Sequence, residues 1–259
     1  MAADPVRIER DGGVASIVLD SGPLNLFGEA TFDALIACLD EIESSDARAL
    51  VWRAEGEIFS GGVDVNFFQQ IVEGGDAAKR FGRFLPALRR FEALPIPTLA
   101  LVHGICLTAA FEIALACDMI WAGESAQMGL VEATVGLTPG TGTPRIAERA
   151  GPARARELVM TGGLYPAERL EHWNVINRVV PDGELLEKGM RFAHRLADGP
   201  TLAHAATKRI VRAWLDDGIA EADQVAEREF IALFETEDTK NGFDTFVAEG
   251  PGKATFQGR

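Results

Sequence analysis

The stretch "GICLTAAFEIALACD", residues 104–118, places one carboxylate, Glu112, among apolar and small residues that otherwise spell a buried helix. An ionised carboxylate without partners costs several kcal/mol to bury or is forced to hold a proton, so Glu112 needs either a hydrogen-bonding shell or a chemical task. The run before it, "TLALVHG" (98–104), reads as a buried strand. Thr108-Ala109-Ala110 therefore opens the helix, where unpaired N–H groups carry a partial positive charge. Glu112 lies three residues beyond Ala109, about one turn along the same face, so an oxyanion and an acid/base group can share that corner.

Outward from this stretch, strands and helices alternate. "VRIER" and "VASIVLD" flank Asp11-Gly12-Gly13 and predict a hairpin. "GEATFDALIACLDEIE" (28–43) has apolar residues at helical spacing and is followed by the compact strand "ALVWRAEG". "GEIFSGGVDVNFFQQI" runs from a Gly-rich loop into a helix, and "DAAKRFGRFLPALRRFEAL" reads as one amphipathic helix ended by Pro95 and Pro97. Short strands are expected over 119–122, near Met128 and at "VINRVVP", with helices at "RAGPARARELVMTG" and "PAERLEHWN". From Asp182 the text is nearly all helical. The fold class is therefore α/β with a C-terminal helical segment.

The chain has 259 residues, 47 % of them hydrophobic, enough for one large core with an enclosed pocket. A net charge of −14 argues against a nucleic-acid surface. No apolar run is clean enough for a membrane span, and "MAADPVRIERDGG" lacks the pattern of a secretory signal, so a cytoplasmic protein is expected. Cys38, Cys106 and Cys117 sit among apolar neighbours without a Cys-x-x-Cys pair and read as reduced core thiols rather than metal ligands.

Ser60-Gly61-Gly62-Val63 also follows a strand, and its glycines let backbone approach a ligand closely. A second carboxylate in an apolar setting is Glu132, in "MGLVEATVGL". On the residues alone, a structural, hydrogen-bonded Glu112, a plain turn at Gly61-Gly62 and a solvent-facing strand edge at Glu132 stand beside the functional readings. "PGTGTPR" lacks the lysine of a phosphate loop, and His103 has no Gly-x-Ser-x-Gly elbow to serve, which leaves it a core or supporting residue.

Order and spacing together narrow the alternatives. "IFSGGVD", "VHGICLTAAFEIALACD", "AQMGLVEATVGLTPGTGTPR" and "LVMTGGLYPAERLEHWNVINRVVP" follow one another in a chain that resembles the crotonase (enoyl-CoA hydratase/isomerase) superfamily over nearly its whole length. The resemblance implies a spiral of ββα units over residues 1–195 and a helical trimerisation and lid segment over 196–259. It implies an acyl-CoA thioester as substrate, with coenzyme A part of the substrate and no metal or other cofactor, and a homo-oligomer, a trimer or dimer of trimers. Carried over residue by residue, it makes Glu112 and Glu132 the catalytic carboxylates and the backbone N–H groups of Val63 and Ala109 the oxyanion hole. Ser60, Gly61, Gly62 and Asp64 become the substrate-binding neighbours. The implied reaction is hydration of a 2,3-enoyl-CoA; isomerisation, or CoA-thioester binding without turnover, are the alternatives.

Four departures accompany the resemblance. Thr108-Ala109-Ala110 stands where the family has Gly-Gly-Gly, and the methyls of Ala109 and Ala110 are expected to narrow or shift the acyl pocket. "PGTGTPR" is one residue short, and Val131 replaces a common proline, both expected to bear on Glu132. Val65-Asn66 replaces a frequent lysine, which shifts the expected phosphate contacts to Lys208, Arg209, Lys240 or Lys253.

Overall fold

In the computed structural model, which describes residues 4–259, strand β1 (Val6–Asp11) and strand β2 (Val14–Leu19) form the expected hairpin, closing at the Asp11–Val14 pair with Gly12 at φ 57°. Helix α1 (Glu29–Glu43), strand β3 (Ala49–Ala54), helices α2 (Val65–Gly74), α3 (Ala77–Phe81) and α4 (Phe84–Ala93), and strand β4 (Thr98–Val102) follow. Strand β5 (Ile105–Leu107) leads directly into helix α5 (Thr108–Ala116), and strands β6 (Met119–Gly123) and β7 (Gln127–Gly129) come next. The chain continues through helices α6 (Gly142–Ala150) and α7 (Pro152–Thr161), strand β8 (Tyr165–Pro166), helix α8 (Ala167–His172), strand β9 (Arg178–Val180) and helices α9 (Leu185–Ala197), α10 (Thr201–Asp217), α11 (Ile219–Leu233) and α12 (Glu237–Glu249).

The main sheet runs β1-β2-β3-β4-β6-β9, parallel from β2 onward, and a smaller sheet runs β5-β7-β8. Side chains of a strand alternate between faces, and the two faces of this sheet bury different cores. Ile17, Leu50, Trp52, Ala100 and Val102 pack with α1, α4 and α5, whereas Val14, Val51, Leu99 and Leu101 pack with α9. Burial on both sides explains why the strands read as continuous apolar runs. Gly189 permits the closeness of α9, since a Cβ there would stand 2.4 Å from a Leu101 methyl.

Two expected helices need correction. The single helix over 76–94 is two, because the chain turns at Gly82, where a Cβ would meet the Ala78 carbonyl oxygen at 2.4 Å. The helix over 149–162 is preceded by another: "GTPRIAERA" is α6, with Pro144 in its first turn, where a missing N–H costs nothing. All three cysteines are buried free thiols. Among the described residues, no helix is long and apolar enough to cross a membrane.

The C-terminal helices are tied to the core by polar side chains. Arg48 donates to the carbonyls of Gly199 (2.7 Å) and Phe256 (2.8 Å) and to Thr201 Oγ1 (3.0 Å). Lys208 Nζ donates to Asp118 Oδ2 at 2.9 Å and to the Ile96 carbonyl at 3.0 Å. A boundary at residue 195 falls in the last turn of α9, which still packs on the sheet.

Candidate active site

The loop after β3 is zipped into the scaffold by backbone bonds. Ser60 N–H donates to the Ile105 carbonyl (2.9 Å), Leu107 N–H to the Ser60 carbonyl (3.1 Å), Gly61 N–H to the Leu24 carbonyl (2.8 Å) and Phe27 N–H to the Gly62 carbonyl (2.9 Å). Ser60 is wholly buried; its hydroxyl donates to the Asn25 carbonyl (2.7 Å) and accepts from Gly62 N–H (3.0 Å). Asp64 caps α2 by accepting from Asn66 N–H at 2.8 Å. Pairing this loop with β5, the strand that enters α5, brings Val63 beside the start of α5. Val63 N–H donates to Thr108 Oγ1 at 3.0 Å. Ala109, the second residue of α5, belongs to the turn whose N–H groups have no partner within the helix.

Ala109 and Ala110 are core residues, 2 % and 0 % exposed. Both belong to the apolar core, and the side chain standing at Val63 is that of Thr108.

Glu112 is buried, and one oxygen carries its whole hydrogen-bonding shell. Oε1 accepts from Gly142 N–H (2.6 Å), Thr141 N–H (2.7 Å) and Thr141 Oγ1 (2.8 Å). The donors come from the start of α6, so the helix end that receives Glu112 is not that of its own helix. Oε1 is the acceptor in all three contacts, and none of these donors meets Oε2. Gly142 allows this approach: a Cβ there would meet a Leu130 methyl at 2.7 Å and Glu112 Cγ at 3.2 Å. Arg145 holds the loop from behind, donating through Nη1 to the Thr141 carbonyl and through Nε to Glu92 Oε1, both at 2.7 Å. The "PGTGTPR" loop thus bears on Glu112, where it was expected to bear on Glu132.

Glu132 opens a single 3-10 turn, Glu132–Val135, and not a solvent-facing strand edge. It is buried, and its Oε2 has no hydrogen-bond partner among the described residues. Burial pushes its carboxyl up to about 7, and the Glu112 charge adds to this while a bond from its own backbone N–H opposes it. Two carboxyl groups that feel each other, one with a saturated oxygen and one that still holds its proton in about half of the molecules near pH 7, are equipped to divide base and acid work.

Sequence reasoning missed Thr141, Gly142, Arg145 and Glu92. Thr-Gly-Thr-Pro ahead of a periodic run is a helix-start signal that would have placed α6, but its closeness to Glu112 is a tertiary fact. Of the cations expected near phosphates, Lys208 pairs with Asp118, and Arg209 with Glu229 at 2.6 Å. His103 Nε2 lies 3.0 Å from the Gly56 carbonyl oxygen, a supporting contact. Among the described residues, no group of three or more His, Cys, Asp or Glu side chains is arranged to hold a metal ion. A cleft of about 480 Å³ between α10 and the end of α5 is lined by Leu115, Asp118, His204, Lys208 and Trp214 and by neither Glu112 nor Glu132.

The sequence profile described as enoyl-CoA hydratase/isomerase matches residues 9–259. The chain belongs to the enoyl-CoA hydratase/isomerase family. A "probable enoyl-CoA hydratase" of Rhizobium meliloti is 31 % identical, with all of both chains covered. One from Bacillus subtilis is 28 % identical over 98 % of each chain. Among solved structures, one from Geobacillus kaustophilus described as "Enoyl-CoA Hydrates Subunit I" superposes with a TM-score of 0.90 at 30 % identity, over 98 % of each chain. An enoyl-CoA hydratase from Bacillus anthracis gives 0.92 at 25 %, over 98 % of this chain and 100 % of that one. The family fold, a ββα spiral with a helical C-terminal segment, is the fold of this chain.

Proposed function

We propose that the protein hydrates the double bond of a 2,3-enoyl-CoA. The observation that carries this reading is the unequal pair of buried glutamates, Glu112 with Oε1 saturated by three donors and Glu132 with its carboxyl pushed up to about 7 by burial. Donors at the start of α5 polarise the thioester oxygen, so that C3 becomes electrophilic and charge collects on oxygen as an enolate forms. Water adds through its oxygen to C3 while Glu112 Oε2 takes its proton. Glu132 delivers a proton to C2 as the enolate collapses. Glu112 finishes protonated and Glu132 ionised, and one proton moved between them through solvent restores the start. The addition is redox-neutral, and coenzyme A enters only as part of the substrate.

The test is a panel of saturated and 2,3-unsaturated acyl-CoA thioesters, screened for binding and for loss of the enoyl absorbance. Loss of absorbance with one equivalent of water gained supports hydration; binding without turnover across the panel overturns it. Migration of the double bond without water uptake identifies an isomerase.

An acid that must hold its proton sets a pH limit. As the medium rises through about 7, Glu132 ionises and kcat/KM for hydration is expected to fall about tenfold per pH unit. The same group makes a stability prediction. Its folded pKa of about 7 lies above the ordinary 4.5, so its favourable contribution is complete below about 4.5 and is lost as pH rises through about 7. Glu132→Gln should therefore gain on the wild type between pH 4.5 and pH 8.5 by on the order of 3 kcal/mol, since one pKa unit is worth about 1.4 kcal/mol. Chemical denaturation at the two pH values reads the difference, and parallel curves would refute the assignment.

We further propose a homo-oligomer of three or six chains. Trp214, Phe230, Ile231, Phe234, Phe243 and Phe246 are 47–63 % exposed along α10, α11 and α12, an apolar surface larger than scattered single residues produce. Light scattering should give at least three times the 27.9 kDa chain mass; a monomer at micromolar concentration would count against it.

A further inference from the structure

Thr108 is the sole β-branched residue at positive φ among the described residues, at φ 46°. That conformation crowds a branched Cβ and costs on the order of 1–3 kcal/mol, and such strain persists where the surroundings over-determine it, often at functional sites. Here the surroundings are specific. Gly62, itself at φ 92°, faces the threonine so closely that a Cβ on it would stand 2.4 Å from Thr108 Oγ1 and 3.2 Å from Cγ2. Thr108 is 6 % exposed, and its hydroxyl oxygen accepts the Val63 N–H at 3.0 Å.

A ligand oxygen taking the Val63 N–H directly would have to compete with Thr108 Oγ1, which already accepts it. The hydroxyl accepts at that point, and no protein acceptor among the described residues receives its own proton. A hydroxyl whose oxygen accepts a hydrogen bond is a better donor through its hydrogen. We propose that the Thr108 hydroxyl, backed by Val63 N–H, is the donor that meets the thioester oxygen, together with the N–H of Ala109. The chain is Val63 N–H to Thr108 Oγ1, and Thr108 O–H to the thioester oxygen. Both bonds shorten as negative charge gathers on that oxygen, and no proton is transferred. The proposal rests on the acyl-thioester reading above and goes beyond it in making a side chain one of two donors.

The test uses the full-length Thr108→Ser, Thr108→Val and Thr108→Gly variants with two readouts. The first is kcat and KM on the best enoyl-CoA of the panel. The second is the infrared carbonyl stretch of a bound saturated acyl-CoA labelled with ¹³C at the thioester carbon, which reports donation to the oxygen without turnover. Thr108→Ser keeps the hydroxyl and should stay within about threefold of wild type in kcat with the same carbonyl shift. Thr108→Val keeps the shape and loses the donor; kcat should fall about 10²- to 10³-fold with KM within a few-fold, and the carbonyl should move back toward its free frequency. Thr108→Gly frees Val63 N–H to bind the oxygen itself, and its carbonyl shift should match or fall below that of wild type. A Thr108→Val protein with the wild-type carbonyl shift overturns the proposal. So does a Thr108→Gly protein with a larger shift and a higher kcat, which would make the hydroxyl a plug. A wild type that shifts the carbonyl through Thr108 yet hydrates nothing refutes hydration and leaves the donor assignment standing. Hydration untouched in Thr108→Val does the reverse, and failure to bind any acyl-CoA refutes both.

Discussion

Glu112→Gln and Glu132→Gln are each expected to lower turnover by about 10²- to 10⁴-fold, the range of general acid–base catalysis, with acyl-CoA binding held within a few-fold. The substitutions suit the geometry. A glutamine in place of Glu112 keeps an acceptor oxygen for Gly142 N–H, Thr141 N–H and Thr141 Oγ1 and changes only the atom at the Oε2 position, from proton acceptor to amide nitrogen. A glutamine in place of Glu132 mimics the neutral carboxyl that burial already favours, yet holds no proton to give. Binding should survive because the thioester oxygen is met by donors on other residues. Stopped-flow loss of the enoyl absorbance gives the rate, and displacement of a bound acyl-CoA gives the affinity. Full hydration activity in either variant would sink the two-carboxylate mechanism, and loss in one alone would favour proton shuttling by a single group.

The same two residues show how far a sequence carries. Glu112 was legible because a carboxylate inside "TAAFEIALA" has few ways to be satisfied, and the start of α5 was legible from the strand and small residues before it. The donors that satisfy it were not. They are backbone and hydroxyl groups 29 and 30 residues away, and nothing in the local pattern at Thr141-Gly142 says which carboxylate faces it. Glu132 was legible as a candidate, but an alternation argument could not separate a strand edge from the buried 3-10 turn it occupies. Thr108 illustrates the reverse. The substitution of threonine for glycine was visible, but the methyls of Ala109 and Ala110 drew the steric argument, because the positive φ that turns the threonine toward Val63 belongs to the backbone and not to the residue name.

Arg145→Met is expected to cost about 3 kcal/mol, which for a chain of this size lowers Tm by roughly 6–12 °C, and to reduce kcat by at least about tenfold in the protein that remains folded. Arg145 is 8 % exposed, and its guanidinium joins Glu92 to the Thr141 carbonyl. Its removal leaves a half-buried Glu92 without its cation and a loop carbonyl without its donor. Thr141 then loses its anchor, and with it the fixed direction of the two N–H groups and the hydroxyl that orient Glu112. A second substitution separates the two effects. An ion pair replaced on both sides by apolar groups is often neutral in stability, so Glu92→Leu added to Arg145→Met should recover much of the lost Tm. It should not recover the rate, because the Thr141 carbonyl is still unheld. A double variant that regains both would reduce Arg145 to a packing residue. A single variant within about 1 °C and about twofold of wild type would remove the Glu92–Arg145–Thr141 chain from any account of how Glu112 is positioned.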